Sequence, residues 1–144
     1  LVRIVQLTVP DMVARKWGRV IMVGAASVRE PIPNNVLSNM FRAGLAFYCK
    51  TLAGEVIRDG VTVNVVSPTA VLTERTRYTA AARGEKKGIS GDEELARREQ
   101  NSVAGRFGSP EEFGAMVAFL AGTDAGYMTG ANWRVDGDSA SGLG

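Results

Sequence analysis

The sequence predicts an α/β fold with a parallel sheet, and three features indicate this class. Two short runs rich in branched apolar residues, 19–23 and 61–66, flank a helical pattern at 36–58. A strand can return parallel to its neighbour only through a crossover of about this length. A third predicted strand, 132–135, follows a further helical pattern at 110–122. Because open sheets of this class bind ligands at the carboxyl ends of their strands, we expect a site in the loops that follow the first two strands.

The composition excludes several classes of function. The chain has 144 residues, 45% of them apolar and 22% charged, as expected for one soluble globular domain. Its net charge of +2 comes from 17 basic and 15 acidic residues without a long basic run, so we do not expect a nucleic acid as a partner. No apolar segment approaches the length that spans a membrane, so we do not expect a membrane partner either. The absence of histidine and the lone Cys49 exclude a zinc site and any Ser-His-Asp or Cys-His nucleophile. A single cysteine also favours a reducing, cytoplasmic compartment.

The first predicted element is a helix over residues 1–16, with apolar side chains at spacings of three and four. Pro10 is expected to end or bend this helix, because proline lacks the amide hydrogen that the helix ladder needs. The segment opens without a capping residue, a polar lead-in or an initiator methionine, so we expect the chain to have been cut from something longer. The strand at 19–23 is apolar almost throughout, as in strands that helices cover on both faces.

The helix predicted at 36–58 carries a stripe of apolar side chains that we expect to be buried along its whole length. The stripe consists of Leu37, Phe41, Leu45, Tyr48, Leu52 and Val56. A second stripe contains small residues that would let another helix approach closely, and it consists of Met40, Gly44, Phe47, Thr51 and Glu55. So much apolar surface on one helix predicts a homo-oligomer that forms through the helices at 1–16 and 36–58.

The polar stretch from about 73 to 102 predicts a mobile helical insertion, and long insertions after a strand often act as lids. Tyr78 in this stretch would then reach over a substrate, although a solvated tyrosine is the more ordinary interpretation. Further along, Ser109 followed by Pro110 and two glutamates predicts a capped start for the helix at 110–122. Residues 135–144 form a tail rich in glycine and serine.

Several segments together resemble the short-chain dehydrogenase/reductase family, especially its 3-oxoacyl-[acyl-carrier-protein] reductase-like members. The segments are GRVIMVGAAS, a Pro-containing loop, LAGEVIRDGVTVNVVSPTAVLT and GRFGSPEEFGAMVAFLAGTDAGYMTGANWRVDG. The resemblance covers essentially the whole chain. It implies a Rossmann-like doubly wound parallel sheet, of which residues 1–144 would form the C-terminal part as a single partial domain. It also implies hydride transfer between NAD or NADP and the carbonyl or alcohol of a small-molecule substrate.

The positions that the family uses for catalysis carry other residues in this chain. The family's Tyr, the Lys four residues later and the Ser align with Ser38, Arg42 and Ala25. A serine hydroxyl is a far weaker acid than a phenol, whereas Arg42 retains the positive charge. Ser27, two residues after Ala25, could rotate into the site, and the alternative is a loop serine that caps its own backbone. The predicted catalytic residues are therefore Ser27, Ser38 and Arg42.

The cofactor side of the site is only partly represented. In the family, the segment that matches SPTAVLT contacts the nicotinamide amide and a phosphate, which implies cofactor-binding roles for Pro68, Val71 and Thr73. The family's usual glycine after the proline is Thr69 here. The glycine-rich turn that holds the pyrophosphate has no counterpart, so we do not expect this chain alone to bind NAD or NADP.

Two functions remain open at this point. The first is an oxidoreductase of the short-chain dehydrogenase/reductase type, represented by its C-terminal portion. The second is a catalytically inactive scaffold or a partner subunit of a larger assembly, which keeps the oligomer-forming helices without the chemistry. In a heteromeric version of the second, another chain would supply further strands, because the strand at 19–23 would otherwise present an open edge.

Overall fold

The computed structural model describes residues 1–139, so the predicted tail lies outside the described residues from position 140 onward. Three parallel strands form one sheet in the order β1-β2-β3, with bounds Gly18–Val23, Val61–Pro68 and Asn132–Val135. The helices are α1 at Val2–Ala14, α2 at Val36–Val56, α3 at Glu74–Lys87, α4 at Gly91–Gln100 and α5 at Pro110–Ala121. Short 3₁₀ turns occupy Ala26–Val28 and Ile57–Asp59. This is the predicted α/β class with its crossover helix between two parallel strands.

Helices cover both faces of the sheet, because alternate side chains of each strand enter two separate apolar clusters. One cluster joins the strands to α1 and α2, and its strand members are Val20, Met22, Val61, Val63 and Val65. The other cluster joins Ile21 of β1 and Val66 of β2 to Leu120 of α5. Helices on both faces of a parallel sheet give the doubly wound arrangement that the sequence predicts.

The first helix, α1, continues through Pro10 to Ala14, so the proline does not end it. Val5 and Val9, one turn apart, are buried in the same cluster as β1 and β2. This packing holds the helix together across the missing amide donor, as tertiary contacts rather than local preference supply most helix stability.

The apolar stripe of α2 is buried only in its second half. Leu52 and Val56 are buried, whereas Leu37 and Phe41 are 68% and 60% exposed. The prediction of a stripe buried along its whole length is therefore wrong. The reason is the position of the sheet, since every α2 residue in the cluster with β1 and β2 lies at position 45 or later.

The polar stretch after β2 folds into two helices, α3 and α4, which pack against each other through the turn at 88–90. Thr73 caps α3 and Ser90 caps α4, each by accepting a backbone N–H three residues on. Gly84 is buried at the turn, where an added Cβ would lie 2.8 Å from the carbonyl oxygens of Ile89 and Ser90. A close backbone approach therefore fixes the α3–α4 hairpin, as we call residues 74–100.

The predicted start of α5 is confirmed in atomic detail. The Ser109 hydroxyl accepts the backbone N–H of Glu112, and the Glu112 carboxylate accepts the N–H of Ser109 at 2.8 Å. Pro110 occupies the first turn, where a missing donor costs nothing. Among the helices of residues 1–139, none combines the length and the apolar character that crossing a membrane requires.

Candidate active site

A cavity of about 430 Å³ opens at the carboxyl edge of the sheet. Its walls include Ala25 and Ala26 after β1, Pro68 and Thr69 at the end of β2, and Arg98 on α4. The volume is within the range of small-molecule sites. The cavity thus lies where the sequence places a site, and the α3–α4 hairpin supplies one of its walls.

A glycine brings the ends of β1 and β2 together at this edge, and a hydrogen bond between two polar side chains joins β2 to the start of β3. The Gly24 N–H donates to the carbonyl oxygen of Val66 at 2.7 Å, and an added Cβ on Gly24 would lie 2.4 Å from the Ser67 hydroxyl oxygen. Ser67 in turn donates to Oδ1 of Asn132, at the start of β3, at 2.7 Å. Only glycine fits between β1 and β2 at this point, so the two strands that lead to the cavity are held close together.

Arg42 reaches the end of β1 from α2. Its Nη1 donates to the carbonyl oxygens of Val23 and Gly24, both at 2.9 Å. Ser38 lies one helical turn earlier and is half-buried, so the two residues share a face of α2. Neither side chain lines the 430 Å³ cavity. Arg42 therefore holds the backbone that leads to the Ala25 wall, and it brings a positive charge to the edge of the site.

Ser27 is buried, with 4% of its surface exposed, in the 3₁₀ turn that follows β1. Its hydroxyl oxygen has no hydrogen-bond partner among the described residues. The alternative in which Ser27 caps its own backbone is therefore wrong. An unpaired buried hydroxyl costs about 1–3 kcal/mol, and such a group in a native fold calls for an explanation. Ser27 lies beside Ala25 and Ala26 but does not itself line the cavity.

The three predicted cofactor residues occupy different environments. Pro68 lines the cavity, while Val71 forms a parallel bridge with Gly108 away from it. The Thr73 hydroxyl accepts the N–H of Thr76 at 3.2 Å and lies 3.0 Å from the Thr76 hydroxyl, whose own proton goes to the Val71 carbonyl at 2.6 Å. The Thr73 proton must therefore point at Thr76, so this hydroxyl is fully used in capping α3.

The hairpin wall is strongly polar. Lys87 Nζ donates to both carboxylate oxygens of buried Glu94, at 2.9 and 2.8 Å. That hydrogen bond, followed by the charges of Lys87, Arg98 and Arg83, lowers the pKa of Glu94 against the opposing effect of burial. The Arg98 guanidinium lies 5.5 Å above the ring of Phe107. Burial and then repulsion from Arg83 lower the pKa of Arg98, whereas Glu94 raises it.

The comparisons with known proteins identify the family. The sequence model described as enoyl-(acyl carrier protein) reductase matches residues 1–138. The chain belongs to the short-chain dehydrogenase/reductase family. A solved short-chain dehydrogenase family protein from Francisella tularensis superposes with a TM-score of 0.78 at 26% identity, over 83% of this chain and 49% of that one. The predicted family and the Rossmann-like doubly wound fold are thereby confirmed.

Relatives of several activities share this family membership. The 2,3-dihydroxy-2,3-dihydro-p-cumate dehydrogenase of Pseudomonas putida is 39% identical over 131 residues, covering 90% of this chain and 47% of the relative. The 3-oxoacyl-[acyl-carrier-protein] reductase FabG of Haemophilus influenzae is 34% identical over 88% of this chain and 48% of the relative. The L-sorbose reductase of Gluconobacter frateurii, solved with NADPH and L-sorbose, superposes with a TM-score of 0.92 at 31% identity, over 99% of this chain and 54% of that one. The chain thus spans about half the length of these short-chain dehydrogenase/reductases.

Arg98 was not predicted from the sequence as a site residue of this short-chain dehydrogenase/reductase chain. The polar stretch from about 73 to 102 predicts one lid-like insertion, and the sequence singles out no cation within it. Arg97 and Arg98 are neighbours in the sequence, and only the packing of α4 decides that Arg98 lines the cavity while Arg97 forms an exposed pair with Glu93 at 3.2 Å. Within residues 1–139, no cluster of three or more acidic or cysteine side chains could hold a metal ion.

Proposed function

We propose that the chain contributes the substrate-facing part of an NAD(P)-dependent oxidoreductase that transfers hydride to or from a carbonyl or alcohol on a small molecule. The observation that carries this proposal is the place of the 430 Å³ cavity, at the carboxyl edge of the parallel sheet between the loops of β1 and β2. Ligands of open α/β sheets bind at such edges. The superposition of nearly the whole chain on a reductase solved with NADPH supports the same assignment.

The residues at this edge fit the nicotinamide end of the cofactor better than its phosphates. Pro68 forms part of the cavity wall, and the resemblance to the family implies that Pro68, Val71 and Thr73 contact the nicotinamide amide and a phosphate. Thr73 would have to exchange its bond to Thr76 for a phosphate oxygen. NAD or NADP would supply or accept the hydride. The chain contains no glycine-rich turn for the pyrophosphate, so it provides half of a cofactor site.

Arg42 and the two serines take the polar roles in this proposal. Arg42 brings a positive charge to the edge of the site, so it would stabilise negative charge on the reacting oxygen while it holds the end of β1. Ser38, one turn away on the same face, would donate a hydrogen bond to that oxygen. Because neither side chain lines the cavity, the reacting end of the substrate would lie between the cavity and α2. Ser27 joins them if its side chain turns from its buried position, where it has no partner among the described residues.

The second candidate function is the catalytically inactive scaffold or partner subunit. The specific observation in its favour is that Nη1 of Arg42 already donates hydrogen bonds to two backbone carbonyls. These bonds alone would account for an arginine at this position, without a role in catalysis. Large apolar side chains on α1 and α2 are exposed, among them Ile4, Leu7, Phe41 and Phe47. In both functions we therefore expect these helices to form a homo-oligomer.

Two further features belong to the same proposal. The α3–α4 hairpin serves as a mobile lid, since it contributes Arg98 to a cavity whose other walls include the loops that follow β1 and β2. We place the protein in the cytoplasm, because its single cysteine, Cys49, is a free thiol, as is usual in a reducing compartment.

The test uses the complete protein. Calorimetry with NADH and NADPH should detect binding, and cofactor oxidation should be measured with a panel of small ketones, keto sugars and 3-oxoacyl thioesters. We expect Arg42→Ala to lower kcat by about 10²-fold, as loss of a charge-stabilising donor does elsewhere, with partial rescue in Arg42→Lys. Arg58→Ala, an exposed arginine just beyond α2, is the matched control and should leave kcat unchanged.

Two outcomes would contradict the proposal. If neither nucleotide binds, the scaffold function is favoured. If nucleotide binds and Arg42→Ala turns over like the unmodified protein, Arg42 serves only the backbone of β1 and another group stabilises the reacting oxygen.

A further inference from the structure

We propose that Arg98 recognises a carboxylate on the substrate, so that this site acts on carbonyl or alcohol compounds that carry a carboxylate group. This inference rests on the proposed function in one respect, namely that the 430 Å³ cavity is the substrate site. It adds carboxylates as the substrate class and Arg98 as the residue that selects them. Arg98 is not among the positions to which the family resemblance gives a catalytic or cofactor-binding role.

The charge lining the cavity is the first argument. Among the described residues that line it, Arg98 is the only charged one, and no aspartate or glutamate faces it. Thr69, Asn101 and Ser102 supply neutral polar groups, and the remaining wall is mostly alanine, proline and isoleucine. A carboxylate entering such a cavity meets one cation and no repulsive carboxylate.

The state of the guanidinium is the second argument. Nη1 of Arg98 is buried and has no hydrogen-bond partner among residues 1–139. An unpaired donor on a charged group is costly when buried, and a carboxylate from the substrate would satisfy it once the side chain turns Nη1 towards the cavity. The ring of Phe107, itself 8% exposed, lies 5.5 Å from the guanidinium. This contact keeps the guanidinium close to the cavity wall.

The surrounding charges are the third argument. The ionisable groups that act on Arg98 are Arg83 and Glu94, and Glu94 is itself held by two hydrogen bonds from Lys87. The cations Lys87, Arg83 and Arg98 thus surround a single carboxylate, that of Glu94. Both oxygens of this carboxylate already accept hydrogen bonds from Lys87. Burial, and then repulsion from Arg83, lowers the pKa of Arg98, and an incoming anion would relieve the repulsion.

The choice of a carboxylate over a phosphate follows from charge matching. A phosphate monoester carries close to two negative charges at neutral pH. Lys87 is paired with Glu94 and Arg83 does not line the cavity, so a ligand in the cavity meets only the single charge of Arg98. A phosphate of the cofactor is the competing ligand, and the experiment separates the two.

The experiment compares charged and neutral probes in the complete protein. Dissociation constants are measured by calorimetry for 3-oxo carboxylates of four to eight carbons and for their methyl esters, in the presence of saturating NADPH or NADH. We expect at least one carboxylate to bind about tenfold more tightly than its ester, and Arg98→Gln to remove that preference without weakening the ester. Arg98→Lys should restore part of the preference. Arg97→Gln, which removes the same charge from the exposed side of α4, should leave it intact.

Each other outcome overturns the inference. Equal affinity for acid and ester, an equal loss of both in Arg98→Gln, or no binding of any carboxylate would each exclude a carboxylate-recognising Arg98. Weaker NADPH binding with unchanged NADH binding in Arg98→Gln would assign the residue to a cofactor phosphate. Because the readout is equilibrium binding, a preference for carboxylates that depends on Arg98 would support the inference even if the protein proved catalytically inactive. Loss of turnover alone would count only against the proposed oxidoreductase.

Discussion

Two walls of the same cavity are built in different ways. The wall after β1 and β2 belongs to the sheet, whose core consists of valines, leucines and other apolar side chains buried between helices. The wall from α4 belongs to the α3–α4 hairpin, where the buried residues are Ala80, Gly84 and Glu94. Apolar burial stabilises the first wall and polar contacts stabilise the second. The difference suits a site in which a rigid frame positions the chemistry and a charged, adjustable element selects the substrate.

The largest effect on stability should come from removing apolar volume from the sheet and the helices packed on it, which we call the frame. Leu120 is completely buried against Val66 and Ala125, and Leu120→Ala should lower the free energy of unfolding by about 2–5 kcal/mol through lost burial and a residual cavity. Leu95→Ala in the hairpin, where the leucine is only half-buried, is the matched substitution and should cost under about 2 kcal/mol. Chemical denaturation of the complete protein measures both. Equal losses of unfolding free energy in Leu120→Ala and Leu95→Ala would mean that apolar burial stabilises both walls to the same extent.

A smaller effect should follow from removing a buried amide in the frame. Asn64 of β2 donates to the Met128 carbonyl at 2.6 Å and accepts the Trp133 indole N–H at 3.0 Å. Asn64→Leu keeps the volume but leaves both partners unpaired, and we expect a loss of about 1–3 kcal/mol. Asn101→Ala removes an exposed amide that bonds the Arg97 carbonyl, and it should cost less than about 0.5 kcal/mol. A comparable loss in the two variants would show that burial does not set the cost of a missing amide here.

Much of the frame could be predicted because its signals are local. β1, β2 and β3 follow from apolar runs, and the start of α5 follows from Ser109 and Glu112, which are three residues apart and bond each other directly. Such patterns depend on neighbours along the chain, so a single sequence contains them. The family match rests on the same segments.

The rest of the site depends on contacts between distant segments. Nothing in the stripe of α2 indicates that Phe41 is exposed and Leu52 buried, because the sheet decides which half of the helix it covers. Likewise, Arg97 and Arg98 are equivalent in the sequence, and the packing of α4 alone directs one of them to the cavity. Ser27 was predicted as a candidate, but its burial without a partner follows from the fold of the turn after β1.

The smallest effect should be local and depend on pH. Hydrogen bonding to Lys87 lowers the pKa of Glu94 below its ordinary value of 4.5. A carboxyl group whose pKa is lower in the folded protein contributes stability that is complete above the unfolded pKa and is lost as the pH falls through the folded one. We therefore expect amides of α4 to lose protection from hydrogen exchange below pH of about 4.5, after correction for intrinsic rates, while amides of β2 keep theirs. In Glu94→Gln the α4 amides should be less protected from exchange already at neutral pH, and acidification should change their protection little. The control is Glu93→Gln, at an exposed ion pair, and it should behave like the unmodified protein. If β2 and α4 lost protection together, the hairpin would open only with the frame, and the mobile lid proposed for the cavity would be excluded.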